Sequence, residues 1–158
     1  MLPTKNQLLK NFYSCANWEE KYLYIIDLGK LLPIFPERFR TTKYLIKNCQ
    51  SNTWIALIPI LNKKPDQHLN KNQNTSFVKF YGDSDSVIIK GIITIIFIVY
   101  QNLSIESIIN FDIRHFLTQL ALNQHLTISR SQGVYSILDD IQTQSNNLLL
   151  SSSKTHLT

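Results

Sequence analysis

Small polar residues followed three positions later by Glu or Gln recur along the chain: Thr4/Gln7, Asn17/Glu20 and Ser129/Gln132. At that spacing the two side chains satisfy each other's free backbone donors, so each pair predicts a helix start. After Asn17, the apolar residues Trp18, Tyr22, Ile25, Ile26 and Leu32 return at helical spacing. They predict an amphipathic helix over 18–32, ended by Pro33. Past Cys49 the pattern changes. Thr53-Trp54-Ile55-Ala56-Leu57-Ile58 is rich in strand formers, and Phe77-Val78-Lys79-Phe80-Tyr81 reads as its partner, ended by Gly82. Residues 59–76 between them are polar, carry two prolines and read as an extended loop of a hairpin.

The longest apolar run, Val87 to Tyr100, is broken only by Lys90 within its first turn and a half. It falls short of the roughly 20 residues that span a bilayer, so it is read as a buried element. Its β-branched content favours a strand, but as a strand it would reach about 46 Å, wider than a compact domain of this size. Length therefore favours a helix, and Asp83-Ser84-Asp85-Ser86 ahead of it supplies capping groups and negative charge. Ser104 and Asp112 are expected to cap two short helices, and Ser129 a last helix ending near Asn146. The serine-rich segment 145–158 reads as a flexible tail. The expectation is an α+β fold: one domain over 1–144, with a small antiparallel sheet packed against helices from both ends of the chain.

Composition agrees with a single domain, at 158 residues and 44% hydrophobic content. Lys and Arg outnumber Asp and Glu by 16 to 11, but charged residues make up only 17% of the chain. That balance is mildly basic and lacks the dense basic patch with interleaved aromatics that nucleic-acid binding needs. Arg38, Arg40, Lys43 and Lys47 share one acid-free stretch, which is expected to be helical and to gather positive field just before Cys49. The opening Met1-Leu2-Pro3-Thr4-Lys5 goes straight into an amphipathic pattern without an apolar leader. A reducing cytoplasm with free thiols is expected, without membrane attachment.

Chemistry is expected at a cysteine. Cys15 and Cys49 are too far apart for a redox dithiol, and the four histidines show no metal-ligand spacing with them. Cys15, beside Phe12 and Ala16 at the end of a helix, reads as a small core residue. Cys49 sits between the basic stretch and a strand, among Asn48, Gln50, Ser51 and Asn52, none of which forms a core around it. Two readings stand on these residues alone: a reachable, ionisable thiol, or an inert surface cysteine.

Resemblance adds to this. The segment Asn17 to Pro33 (NWEEKYLYIIDLGKLLP) is similar to the opening helix of SufE proteins, and Cys49-Gln50-Ser51 with Trp54 resembles their active-site loop. Gly82-Asp83-Ser84-Asp85 with Lys90-Gly91, and His125-Leu126-Thr127 leading to Ser129-Arg130-Ser131-Gln132-Gly133, resemble two further motifs of the family in the correct order. The pattern spans about residues 5–143 and is closer to SufE than to its paralogue CsdE.

The resemblance implies a fold like that of the iron-sulfur scaffold protein IscU. It implies that Cys49 carries a persulfide taken from the pyridoxal-phosphate cysteine desulfurase SufS and given to SufB or the SufBCD complex. It also implies no cofactor of the chain's own, no independent activity, and a homodimeric habit. Asp85 and Arg130 occupy motif positions that would steady the cysteine loop or contact the desulfurase; Lys43 and Lys47 would contribute field. A persulfide awaiting delivery benefits from cover, so Cys49 is expected to be partly shielded by apolar neighbours. Asn48 stands where the family usually has Gly and Thr53 where it usually has Val. Asn tolerates a left-handed backbone, so the loop shape is expected to survive. A different class, a thiol hydrolase or transferase built on a Cys49–His125 pair, is the alternative.

Overall fold

The computed structural model describes residues 1–60 and 76–154, and among these the chain forms seven α-helices, one 3₁₀ turn and a two-stranded antiparallel sheet. The architecture is α+β, as expected. Most of the predicted connection between the strands, including Lys63, Lys64 and Lys71, lies outside the described residues.

Helix α1 (Lys5–Ser14) opens with the full reciprocal cap of Thr4 and Gln7. Helix α2 (Trp18–Gly29) is capped by Asn17, whose side chain accepts the Glu20 N–H at 3.0 Å, while the Glu20 carboxylate reaches back to the Ala16 N–H at 2.7 Å. Its end falls at Gly29, short of the expected 32. Lys30, Leu31 and Leu32 bond to carbonyls three residues back, a tightened last turn, because Pro33 disfavours helical backbone in the residue before it.

The basic stretch is not a helix either. After a 3₁₀ turn (Glu37–Phe39) and a turn in which the Tyr44 and Leu45 N–H groups bond to the Thr41 C=O, Leu45 bridges antiparallel to Trp54, with Ile46 N–H bonded to Thr53 C=O and Ile55 N–H to Tyr44 C=O. Ile46 is buried by this pairing, a gain that a helix on the surface would forgo.

Strand β1 (Thr53–Pro59) pairs with β2 (Val78–Ser84) in a register that sets Thr53 opposite Ser84 and Pro59 opposite Val78. Gly82, expected to end its strand, lies within β2. A Cβ there would come within 2.7 Å of the Ile93 side chain and 2.9 Å of the Phe97 ring, so the glycine serves close packing rather than a turn.

That packing is against α3 (Val87–Tyr100), the centre of the molecule, in which every residue but Val87 and Lys90 is buried. Ser86, not Asp85, is its cap, accepting the Ile89 N–H. On the other side α2 crosses α3 at Gly29 and Gly91, where a Cβ on Gly91 would collide with the Ile25 carbonyl. Helices α4 (Ile105–Asn110) and α5 (Ile113–Gln119) carry the expected Ser104 and Asp112 caps, and a further single turn α6 (Leu122–His125) follows.

The last helix, α7 (Ile128–Lys154), is capped two residues earlier than expected, at Thr127, which receives the Arg130 N–H, and it passes well beyond Asn146. Ile141, Ser145 and Leu148 continue its inward stripe, so the segment from 145 to 154 is helix and not the expected tail. Nearby, the Gln144 amide accepts the Leu57 N–H and donates to the Ile55 C=O, tying α7 to β1. No helix among the described residues is long and apolar enough to cross a membrane.

Candidate active site

The loop bearing Cys49 is closed at its base by the Ile46–Thr53 bond, and beside it the Asp85 N–H donates to the Asn52 C=O. Asn48 takes φ 60°, the left-handed conformation its side chain tolerates, and so turns Cys49 back toward the protein. The thiol is half-buried and packs on the apolar core, which agrees with the expected partial cover. Its Sγ rests against α7 at Gly133, where a Cβ would stand 3.0 Å from the sulfur. On the inner side it meets Thr53 Oγ1 at 3.6 Å.

Outward, Cys49 opens on a cleft of about 330 Å³ lined by its own loop, by Ser86 and Ile89 at the start of α3, and by Thr127, Ser129, Arg130 and Gly133. Arg130 is half-buried, and among the described residues its guanidinium has no hydrogen-bond or carboxylate partner. A cation without a carboxylate partner in this cleft is available to an anion that enters it.

The other predicted residues lie differently. Lys43 and Lys47 are exposed and line a neighbouring cleft of about 450 Å³, which reaches the loop at Asn48 and is faced by Asp139 and Asp140 of α7. Arg40 is held by Asp83 at 3.0 Å and Glu37 at 3.2 Å, and its guanidinium lies over Trp54. The positive field expected from the basic stretch is thus divided among carboxylates, and the cation lining the thiol cleft comes from α7. Asp85 holds the loop through its backbone, with an exposed side chain.

His125 does not form a dyad with Cys49. Its ring stacks on Trp18 with centroids 3.6 Å apart, its carbonyl receives the Tyr22 hydroxyl, and it is not among the residues lining the thiol cleft. Trp18 therefore supports α6 rather than only filling the core. Cys15, expected in the core, is only half-buried and donates to the Asn11 carbonyl at 3.4 Å. Among the described residues no three His, Cys, Asp or Glu side chains gather in a metal-holding cluster.

Sequence reasoning passed over Gly133, Thr53 and Ser84 as site residues. Glycine inside a helix is an unfavourable choice and is a visible signal of close approach. Nothing in the sequence pairs Thr53 with Ser84 until the strand register is known.

Residues 6–145 match the family model described as SufE, Fe-S metabolism associated domain. The chain belongs to the SufE family. It is 45% identical over 146 residues to the cysteine desulfuration protein SufE of Wigglesworthia glossinidia brevipalpis, covering 92% of each chain. The solution structure of a hypothetical protein from Thermus thermophilus superimposes with a TM-score of 0.68 at 18% identity, over 95% of this chain and 99% of that one. At that identity the likeness speaks for the fold alone.

Proposed function

We propose that Cys49 is the sulfur-carrying residue of a relay, loaded as a persulfide by a SufS-type cysteine desulfurase and unloaded to SufB or the SufBCD complex for iron-sulfur cluster assembly in the cytoplasm. The observation that carries this reading is the half-buried thiol set against Gly133 in an open cleft that Arg130 also lines. A cleft of this volume has room for one further sulfur about 2 Å beyond Sγ.

In loading, the Cys49 thiolate attacks the terminal sulfur of the donor's persulfide. The donor's sulfur–sulfur bond breaks, its cysteine leaves as thiolate, and Cys49 holds the sulfane sulfur. Rate depends on the thiolate fraction, on access and on the leaving group. No cofactor of the chain's own takes part; pyridoxal phosphate belongs to the donor enzyme.

The test is incubation with a SufS-type desulfurase, cysteine and pyridoxal phosphate, followed by intact mass measurement. The wild type is expected to gain one sulfur atom that reducing agent removes, and Cys49→Ser none. A wild type that gains nothing, or a Cys49→Ser variant that still gains sulfur, overturns the reading.

A further inference from the structure

Beneath the Cys49 thiol lies a chain of hydroxyl groups that the transfer just described leaves unused. Thr53 opens β1, Ser84 closes β2, and the register sets them face to face. Both are buried, at 0% and 8% exposure. Thr53 Oγ1 is 2.9 Å from Ser84 Oγ, 3.3 Å from the Ser51 carbonyl oxygen and 3.6 Å from Cys49 Sγ. Ser84 Oγ accepts the Ser86 N–H at 3.2 Å, in the turn that leads into α3.

A hydroxyl has one proton and two lone pairs. The Ser51 carbonyl can only accept, so when Thr53 donates to it the 2.9 Å contact has Ser84 donating to Thr53. Thr53 then has a single proton to give, and the Ser51 carbonyl and the Cys49 sulfur compete for it. A neutral thiol donates its own S–H to Thr53, which leaves the Thr53 proton for Ser51. A thiolate has nothing to donate, and the Thr53 O–H turns to the sulfur.

We propose that Thr53 is a positioning residue for the reactive thiol: its hydroxyl, polarised through Ser84, donates a hydrogen bond to Cys49 whenever that sulfur is anionic. This rests on Cys49 being the carrier, and it bears on both halves of the relay. In loading, the thiolate is the attacking group. In delivery, an acceptor thiolate bonds to the sulfane sulfur, the Cys49 sulfur–sulfur bond breaks, and its electron pair returns to Sγ, where the Thr53 proton meets it. Stabilising that anion raises the thiolate fraction and improves the leaving group, while only partly dulling the nucleophile.

The test uses the full chain without any desulfurase, following iodoacetamide alkylation of Cys49 against pH by peptide mass measurement so that Cys15 is counted separately. Thr53→Val is expected to move the rate midpoint up by about half to one pH unit and to raise the high-pH plateau slightly. Thr53→Ser, which keeps the hydroxyl, is expected to stay near wild type. A simple loss of access would lower the plateau instead and leave the midpoint in place. Should Thr53→Val fail to fold, the double variant with Ser84→Ala removes both hydroxyls and leaves neither unpaired; the same shift is expected. An unmoved midpoint, or an equal shift in Thr53→Ser, overturns the role of Thr53. Failure to load sulfur from the desulfurase would count against the carrier reading alone.

Discussion

Gly133 decides how near the last helix can come to the reactive sulfur. A methyl at that position would press on Sγ from 3.0 Å and occupy part of the space a second sulfur needs. Its backbone is ordinary helix, with no positive φ, so alanine meets no conformational obstacle there. Gly133→Ala is therefore expected to keep or raise stability, by up to about 1 kcal/mol in urea unfolding, while lowering sulfur loading several-fold. Equal loading at equal stability would show that the thiol moves aside and that the close approach is incidental. Single residues of this kind were partly legible. Asn48 was readable as a left-handed position because few other side chains accept one. The cap of α3 was legible only to within Asp83–Ser86, since several adjacent oxygens compete in sequence and only backbone geometry selects Ser86.

Between elements, the tightest fit is the crossing of α2 over α3. Gly29 and Gly91 face each other there, and the Ile25 carbonyl lies where a Gly91 side chain would begin. The obstacle is backbone, which cannot rotate away, so Gly91→Ala is expected to cost about 3 kcal/mol or more in urea unfolding. A loss under 1 kcal/mol would mean the helices slide apart freely. The buried character of α3 was legible because fourteen nearly unbroken apolar residues have few other places to go. Ends and extended segments were less so. Leu45–Ile46 carries a helix-compatible pattern, and it lies along β1 only because the strand offers hydrogen bonds and a buried slot for Ile46. The reach of α7 depends in the same way on a surface supplied by distant parts of the chain.

Over the whole molecule, the thiol cleft draws on segments near residues 49, 86 and 130, and their meeting is a product of the fold rather than of any local pattern. The ordered motifs announced that these segments belong together without saying how. Charge was the least legible property, because folding brings partners from afar: Arg40 is engaged by Asp83 as well as Glu37, and Lys43 and Lys47 share a cleft with Asp139 and Asp140. Neutralising both lysines to alanine is expected to slow loading about twofold at ~20 mM salt and to have no effect near ~0.5 M, where exposed charges are screened. Loading rates measured across that range would contradict a field effect if the slowing were constant.

Gln144 has a consequence for how copies of this protein meet one another. An amide side chain carries a carbonyl acceptor and N–H donors on one plane, so it can present the acceptor and donor pair that a residue of a neighbouring strand would present. Lying across Ile55 and Leu57, it occupies the edge of β1 just where Tyr44–Ile46 stops. An extended segment of another molecule finds those backbone groups already engaged, so edge-to-edge sheet growth is blocked there by a single side chain.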